Sequence, residues 1–144
     1  VLVTPTCRRR FDKEGKSVNT HGEYPDAIRW VAQKENVPLI ELNGMTTMLC
    51  DALGVDGSMK LYVHYPAGTF PGQTREFKDN SHFSTYGAYE TAKCVVEGMK
   101  KAKLDIVNYL RADYKGFNPA QPDKFETFKW NLCPFTEIEK PDGN

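Results

Sequence analysis

The chain has 144 residues, the length of one domain at most. Apolar residues make up 40% and charged residues 26%, the balance of a globular protein, and no apolar run is long enough to span a bilayer. Lys plus Arg equals Asp plus Glu at 19 each, so the net charge gives no case for nucleic acid or an acidic membrane surface as a partner.

Residues 1–3, "VLV", form a short apolar, β-branched run stopped by Thr4-Pro5, which reads as a buried strand. No methionine, polar leader or signal peptide precedes it, as though the chain were entered in mid-sheet. Residues 5–24 make a long polar loop. In "YPDAIRWVAQKEN" Pro25 suits a first helical turn, Ala27, Ile28, Val31 and Ala32 share one face, and Asn36 closes the helix. Residues 37–42, "VPLIEL", read as a second buried strand with Pro38 near its start. A helix follows in "GMTTMLCDALG", with Met45, Met48, Leu49 and Ala52 at helical spacing as core and Gly54 as its stop. Residues 55–83 read as a long irregular loop, a kind more often functional than idle. The last helix is predicted over residues 85–113, with Ser84 as N-cap and Ala88, Ala92, Val95, Met99, Ala102, Ile106 and Leu110 as its apolar face. The rest, residues 114–144, is an irregular, aromatic-rich tail expected to wrap over the α/β part.

Two parallel strands joined by a crossover helix belong to an α/β sheet covered on both faces. Two strands alone leave an open inner edge and too little core, so further strands are expected upstream. The chain thus reads as the C-terminal portion of one α/β domain.

Cys7, Cys50, Cys94 and Cys133 are evenly spread without a C-x-x-C, which argues against zinc-ribbon and redox motifs and for buried free thiols. His21, His64 and His82 lack i, i+4 spacing or a close neighbouring ligand, so no metal site is expected.

The chemistry lies in "KDNSHFSTYGAYETAKCVVEGMK". Asp79 and His82 stand three residues apart before a helix, with the turn formers Asn80 and Ser81 between them. A catalytic imidazole needs one nitrogen free for a nucleophile and the other held by a carboxylate that fixes its tautomer. In that role Asp79 orients and His82 acts as base and then as acid. The bland alternative is a chance D-x-x-H whose Asp merely caps the helix.

Together with "VTPTCRRRFD", "THGEYPDAIR", "ENVPLIELN", "KLYVHYPAG" and the terminal "PDGN", this stretch resembles the rhamnogalacturonan acetylesterase branch of the SGNH (GDSL) hydrolases over nearly the whole chain. The resemblance implies a flavodoxin-like three-layer α/β/α sandwich around a parallel sheet, with Asp79 and His82 as the last two members of a Ser-His-Asp triad. It implies an intact enzyme that removes O-acetyl groups from pectic rhamnogalacturonan without a cofactor, and an exported home, periplasmic or secreted. The family's G-D-S nucleophile block, its oxyanion glycine and its G-x-N-D block are not in this sequence. Asp56-Gly57-Ser58 has the wrong order and reads as a turn, Ser17 lies in a polar loop, and Ser81 and Ser84 flank His82 too closely. The nucleophile is therefore expected upstream of Val1, and the chain alone is expected to be inactive, with the N-terminal half of the domain as its partner.

Among Arg8, Arg9 and Arg10, which follow the first strand, Arg10 is the candidate to grip a carboxylate of an acidic polysaccharide, against pairing with Asp12 or Glu14. His21 is a candidate to line the cleft. Tyr62, Tyr65 and Phe70 are candidates to stack on sugar rings or to pack beneath the loop, Tyr65 being the choice for substrate. The rival readings are an esterase for another acylated sugar or small ester, a non-catalytic fragment that binds saccharide or a partner chain, and a truncation product without a role.

Overall fold

The computed structural model describes residues 1–130; Cys133, residues 131–144 of the tail and the terminal "PDGN" lie outside them. Leu2–Val3 (β1) and Leu39–Ile40 (β2) run parallel in the register Leu2↔Leu39, Val3↔Ile40, joined through the helix Tyr24–Lys34 (α1). The chain is thus α/β, with a small parallel sheet in a β-α-β unit. Pro25 occupies the first turn of α1, and Asn36, at φ 48°, turns the chain out of the helix. Pro25 and Ala32 are the buried positions of α1, whereas Ala27 and Val31 of the predicted apolar face are exposed.

β2 is shorter than predicted because Glu41 leaves the strand to cap the next helix, Leu42–Gly57 (α2). Its Oε1 accepts from the Gly44 amide at 3.3 Å and the Thr4 hydroxyl at 3.2 Å, while Arg29 of α1 donates Nε to Oε2 at 2.8 Å and Nη2 to Oε1 at 2.7 Å. The Arg29 fork, foremost among these, holds the Glu41 carboxyl below its ordinary range. One carboxylate thus joins both helices to the end of β1. A cap of this kind contributes about 1 kcal/mol, present above the ordinary carboxylate range and lost as pH falls through the depressed value.

The predicted stop at Gly54 is a break (φ 69°, ψ −175°), after which helical backbone resumes to Gly57 and tightens into a 3-10 turn, Ser58–Leu61. The stretch read as irregular then forms an antiparallel hairpin, Tyr62–Tyr65 (β3) with Phe77–Phe83 (β4). The polar run "KDNSH" fills the interior of β4, so no alternation betrayed it.

Ser84 caps the last helix, Thr85–Lys101 (α3), as predicted: its Oγ accepts from the Gly87 amide at 3.1 Å and donates to the Lys60 carbonyl at 2.5 Å. α3 ends at Lys101, well short of the predicted residue 113. Lys100 and Lys101 suit its negative end, Lys103 takes a positive φ of 55°, and a separate 3-10 turn, Asp105–Tyr109, follows with Ile106 exposed. The buried stripe is Tyr86, Gly87, Glu90, Thr91, Cys94 and Gly98, so the predicted Ala88 and Ala92 face outward. Met45 packs on the core, but Met48 is exposed.

The core joins Cys7, Ile40, Leu42, Leu49, Cys50, Leu61, Tyr62, Tyr86 and Cys94. Cys7, Cys50 and Cys94 are buried free thiols, and burial pushes Cys94 up to about 12. Tyr62, one of the stacking candidates, belongs to the core, its hydroxyl donating to the Cys7 carbonyl at 2.6 Å. The described part of the tail folds over α3. Tyr86 donates to the Asp123 carbonyl at 2.6 Å and meets Phe125 and Phe128 edge-on, while Lys60 pairs with Glu126 at 2.7 Å. Lys93 sits beneath the tail, 2.8 Å from the fully buried Glu90 and 2.7 Å from Asp123, with its ammonium over the Phe117 and Tyr89 rings. Among the described residues no helix is long and apolar enough to cross a membrane.

Candidate active site

Asp79 and His82 lie on β4 rather than in a free loop. Between the pairs Tyr62↔Phe83 and His64↔Lys78, β3 advances two residues while β4 spans five. The residues from Asp79 to His82 therefore bulge out of the ladder, the device by which a strand re-aims side chains. Within the bulge Asp79 Oδ1 accepts from the amides of Ser81 at 2.7 Å and His82 at 2.9 Å, and Oδ2 accepts from His82 Nδ1 at 2.6 Å. A carboxylate with three donors favours its charged form. The His82 amide, then the Ser81 amide and then the imidazole hold Asp79 at about 2. The Nδ1 of His82 thus carries a proton, and Nε2, on the other side of the ring, is turned from Asp79. The imidazole side chain is 82% exposed and that of Asp79 37%. The pair is formed but uncovered.

Asn80 and Ser81, the residues between the pair, form one wall of an open cleft of about 730 Å³ whose other lining includes Arg8, Arg9, Arg10 and Thr20. Arg9 is committed to the fold: it donates Nε to Ser58 Oγ at 3.2 Å, Nη1 to Asn80 Oδ1 at 3.3 Å and Nη2 to the Val55 carbonyl at 2.6 Å. Arg8 and Arg10 are exposed at the cleft. Asp12 instead turns its carboxylate to the amides of Glu14 and Lys16. His21 lies in an adjoining cavity of about 300 Å³ that shares Arg8, Val18, Asn19 and Thr20 with the first, and its Nε2 is bonded to the Thr6 carbonyl at 2.8 Å. Tyr65 stands apart: it pairs with Phe77 at the far end of the hairpin, meets Phe70 edge-on at 5.1 Å and lines a separate hollow with His64 and Pro66. The structure thus joins Asp79 to His82, sets the arginine triplet on the cleft walled by the intervening Asn80 and Ser81, puts His21 in the adjoining cavity, and places Tyr65 elsewhere.

Of the serines, Ser58 is fully buried with its Oγ donating to the Val55 carbonyl, and Ser84 is the buried cap of α3. Among the described residues no three His, Cys, Asp or Glu side chains converge to hold a metal ion. Reading along the chain missed that Arg9, Asn80 and His64 come together: Arg9 reaches Asn80 across 71 positions of sequence and His64 reaches it across 16. The run of three arginines was the available signal, but it does not tell which one turns inward.

No family model matches the chain. It is 40% identical over 110 residues to rhamnogalacturonan acetylesterase RhgT of Bacillus subtilis (strain 168), an overlap of 76% of this chain and 47% of that protein. It is 27% identical over 110 residues to the probable rhamnogalacturonan acetylesterase YesY of the same organism, covering 76% of this chain and 46% of the relative. The chain therefore spans about half the length of the curated relatives it matches. Among solved structures, the X-ray crystal structure of protein YxiM from Bacillus subtilis aligns with a TM-score of 0.56 at 24% identity, over 72% of this chain and 26% of that one, a likeness of fold. With the D-x-x-H pair in contact, the chain is similar to the rhamnogalacturonan acetylesterases over the half of their length that it spans.

Proposed function

We propose that the chain is the Asp- and His-bearing C-terminal part of a carbohydrate esterase domain, a three-layer α/β/α sandwich whose serine and oxyanion-hole donors lie on polypeptide outside this sequence. The observation that carries the reading is the 2.6 Å contact between Asp79 Oδ2 and His82 Nδ1, with the carboxylate pinned by two further amides. In the complete site His82 Nε2 takes the proton of the serine hydroxyl as that oxygen attacks the acetyl carbonyl. It then returns the proton to the departing sugar oxygen, and the acetyl-serine is hydrolysed by a water that His82 activates in turn. Asp79 holds the tautomer and stabilises the imidazolium.

The substrate is an O-acetylated pectic rhamnogalacturonan, a class supported by the likeness to RhgT. Arg10 on the cleft binds a uronate carboxylate, and His21 in the adjoining cavity is a further saccharide contact, whereas Tyr65 lies too far along the hairpin to join them. The enzyme works outside the cytoplasm, periplasmic or secreted. Faster acetate release from acetylated pectin than from acetylated xylan is the result that supports this substrate over another acylated sugar.

Without nucleophile and oxyanion donors the chain by itself is inactive, since one oxyanion donor alone is worth roughly a hundredfold in rate. Intact mass before and after a fluorophosphonate serine probe tests this. The expected result is no adduct on this chain and an adduct on a polypeptide that complements it. An adduct on Ser17, Ser58, Ser81 or Ser84 would overturn the assignment of the nucleophile to another segment.

A further inference from the structure

Asn80, which stands between Asp79 and His82, is held from two directions. The Arg9 amide donates to its carbonyl at 2.9 Å and Arg9 Nη1 to its Oδ1 at 3.3 Å, while His64 Nε2 lies 2.9 Å from the same Oδ1. Arginine can only donate, so the Asn80 oxygen faces it, and His64 must also donate through a protonated Nε2. Arg9 is anchored in turn. Its other nitrogens bond the Val55 carbonyl just past the break in α2 and the hydroxyl of the fully buried Ser58, and its guanidinium lies 5.7 Å from the Phe11 ring centre. His64 is fixed in β3 opposite Lys78, where the ladder resumes beyond the bulge.

We propose that Arg9 and His64 act through Asn80 as positioning residues, holding the β4 bulge in the one conformation in which Asp79 grips the His82 imidazole. A bulge of this length has lost its ladder bonds and has many conformations open to it. The contacts that give Asp79 its charge and His82 its tautomer are all made inside it. With Asn80 fixed by its main chain to the loop after β1 and by its side chain to β3, the flanking amides of Ser81 and His82 stay aimed at Asp79 Oδ1. The dyad is thereby assembled before any nucleophile or substrate arrives. The proposal rests on the esterase reading for its use in catalysis, but the geometry it predicts belongs to this chain alone.

The test is long-range ¹H–¹⁵N NMR of the histidine rings of the full chain at neutral pH, with ¹³C titration of the Asp79 carboxyl. Wild type is expected to show His82 mainly as the Nδ1–H tautomer and Asp79 titrating at about 2. In His64→Phe, which removes the donor, the Nδ1–H form is expected to become the minor tautomer and the Asp79 midpoint to rise toward the ordinary carboxylate range. In His64→Gln, whose amide nitrogen can replace Nε2, both are expected to stay near wild type. Arg9→Met is expected to act as His64→Phe does; should it fail to fold, the His64 pair decides. A folded His64→Phe with an unchanged His82 ring pattern and Asp79 midpoint would overturn the proposal, even if its thermal stability had dropped, because a merely structural tie predicts that outcome. Failure of the esterase reading shows separately, as the absence of any serine-probe adduct on a complemented sample.

Discussion

In the complete esterase proposed above, Asp79→Asn is expected to lower acetate release by about ten-thousand-fold, with His82→Ala at least as severe. The argument is one of tautomers. The amide side chain of the Asp79→Asn variant can still accept from the Ser81 and His82 amides through Oδ1, so the bulge keeps its shape. Its nitrogen then replaces Oδ2 opposite His82 Nδ1 and presents an N–H where an acceptor stood. The imidazole must move its proton to Nε2, which can no longer take one from serine. The loss should fall on kcat, with KM for the acetylated polysaccharide nearly unchanged, because neither variant removes a saccharide contact. The pH behaviour has a definite sign. Asp79 is depressed to about 2, so it stays ionised and contributes no acid limb to the rate profile until pH approaches that value. Wild-type kcat in either variant, measured by acetate release from acetylated pectin, would remove the pair from the mechanism.

The second large effect concerns stability. At Gly87, in the first turn of α3, a methyl group would collide with the backbone carbonyl of Leu61, a neighbour that no rotamer change can clear. That carbonyl already accepts from the Ser84 amide at 2.9 Å, and the Gly87 amide bonds the Ser84 hydroxyl. Moving Leu61 away therefore disturbs the cap of α3 and the start of β3, the strand that pairs with the bulged β4 carrying Asp79 and His82. Gly87→Ala is expected to cost about 3 kcal/mol or more, the upper end for overpacking in a core. Gly57→Ala is the matched control. It lies at φ −63° in helical backbone, with Leu53 Cβ at an ordinary 3.4 Å. It should be neutral or stabilise by up to about 1 kcal/mol through the unfolded state. Denaturant midpoints at constant m-value decide the matter; equal midpoints for the two variants would mean that α3 and Leu61 do not approach as closely as described.

What could be read from residues alone follows from the range of the interactions. Pro25, Gly54 and Ser84 act on backbone within a few positions of themselves, and each does locally what its type predicts. Asp79 and His82 were legible for the same reason, since both partners fall within one short motif. The buried stripe of α3 was misjudged because glycine and a buried Glu–Lys pair, rather than Ala88 and Ala92, face the core. Close backbone approach needs the smallest residue, a demand that apolar periodicity does not register. β4 was invisible because a bulged, polar strand has neither alternation nor β-branched content. Arg9 was indistinguishable from Arg8 and Arg10 until the hairpin brought Asn80 to it.

The place of Lys93 also bears on how the protein reacts with reagents in solution. Its side chain is only 12% exposed, closed in by Glu90, Asp123 and two aromatic rings. An amine reagent or trypsin can reach it only when the tail segment around Phe117 and Asp123 lifts from α3. Lysines on open surface, such as Lys78 at 68% side-chain exposure, react without any such opening. The rate at which Lys93 is acylated, set against that of Lys78, therefore times how often the tail lets go of the helix that follows β4.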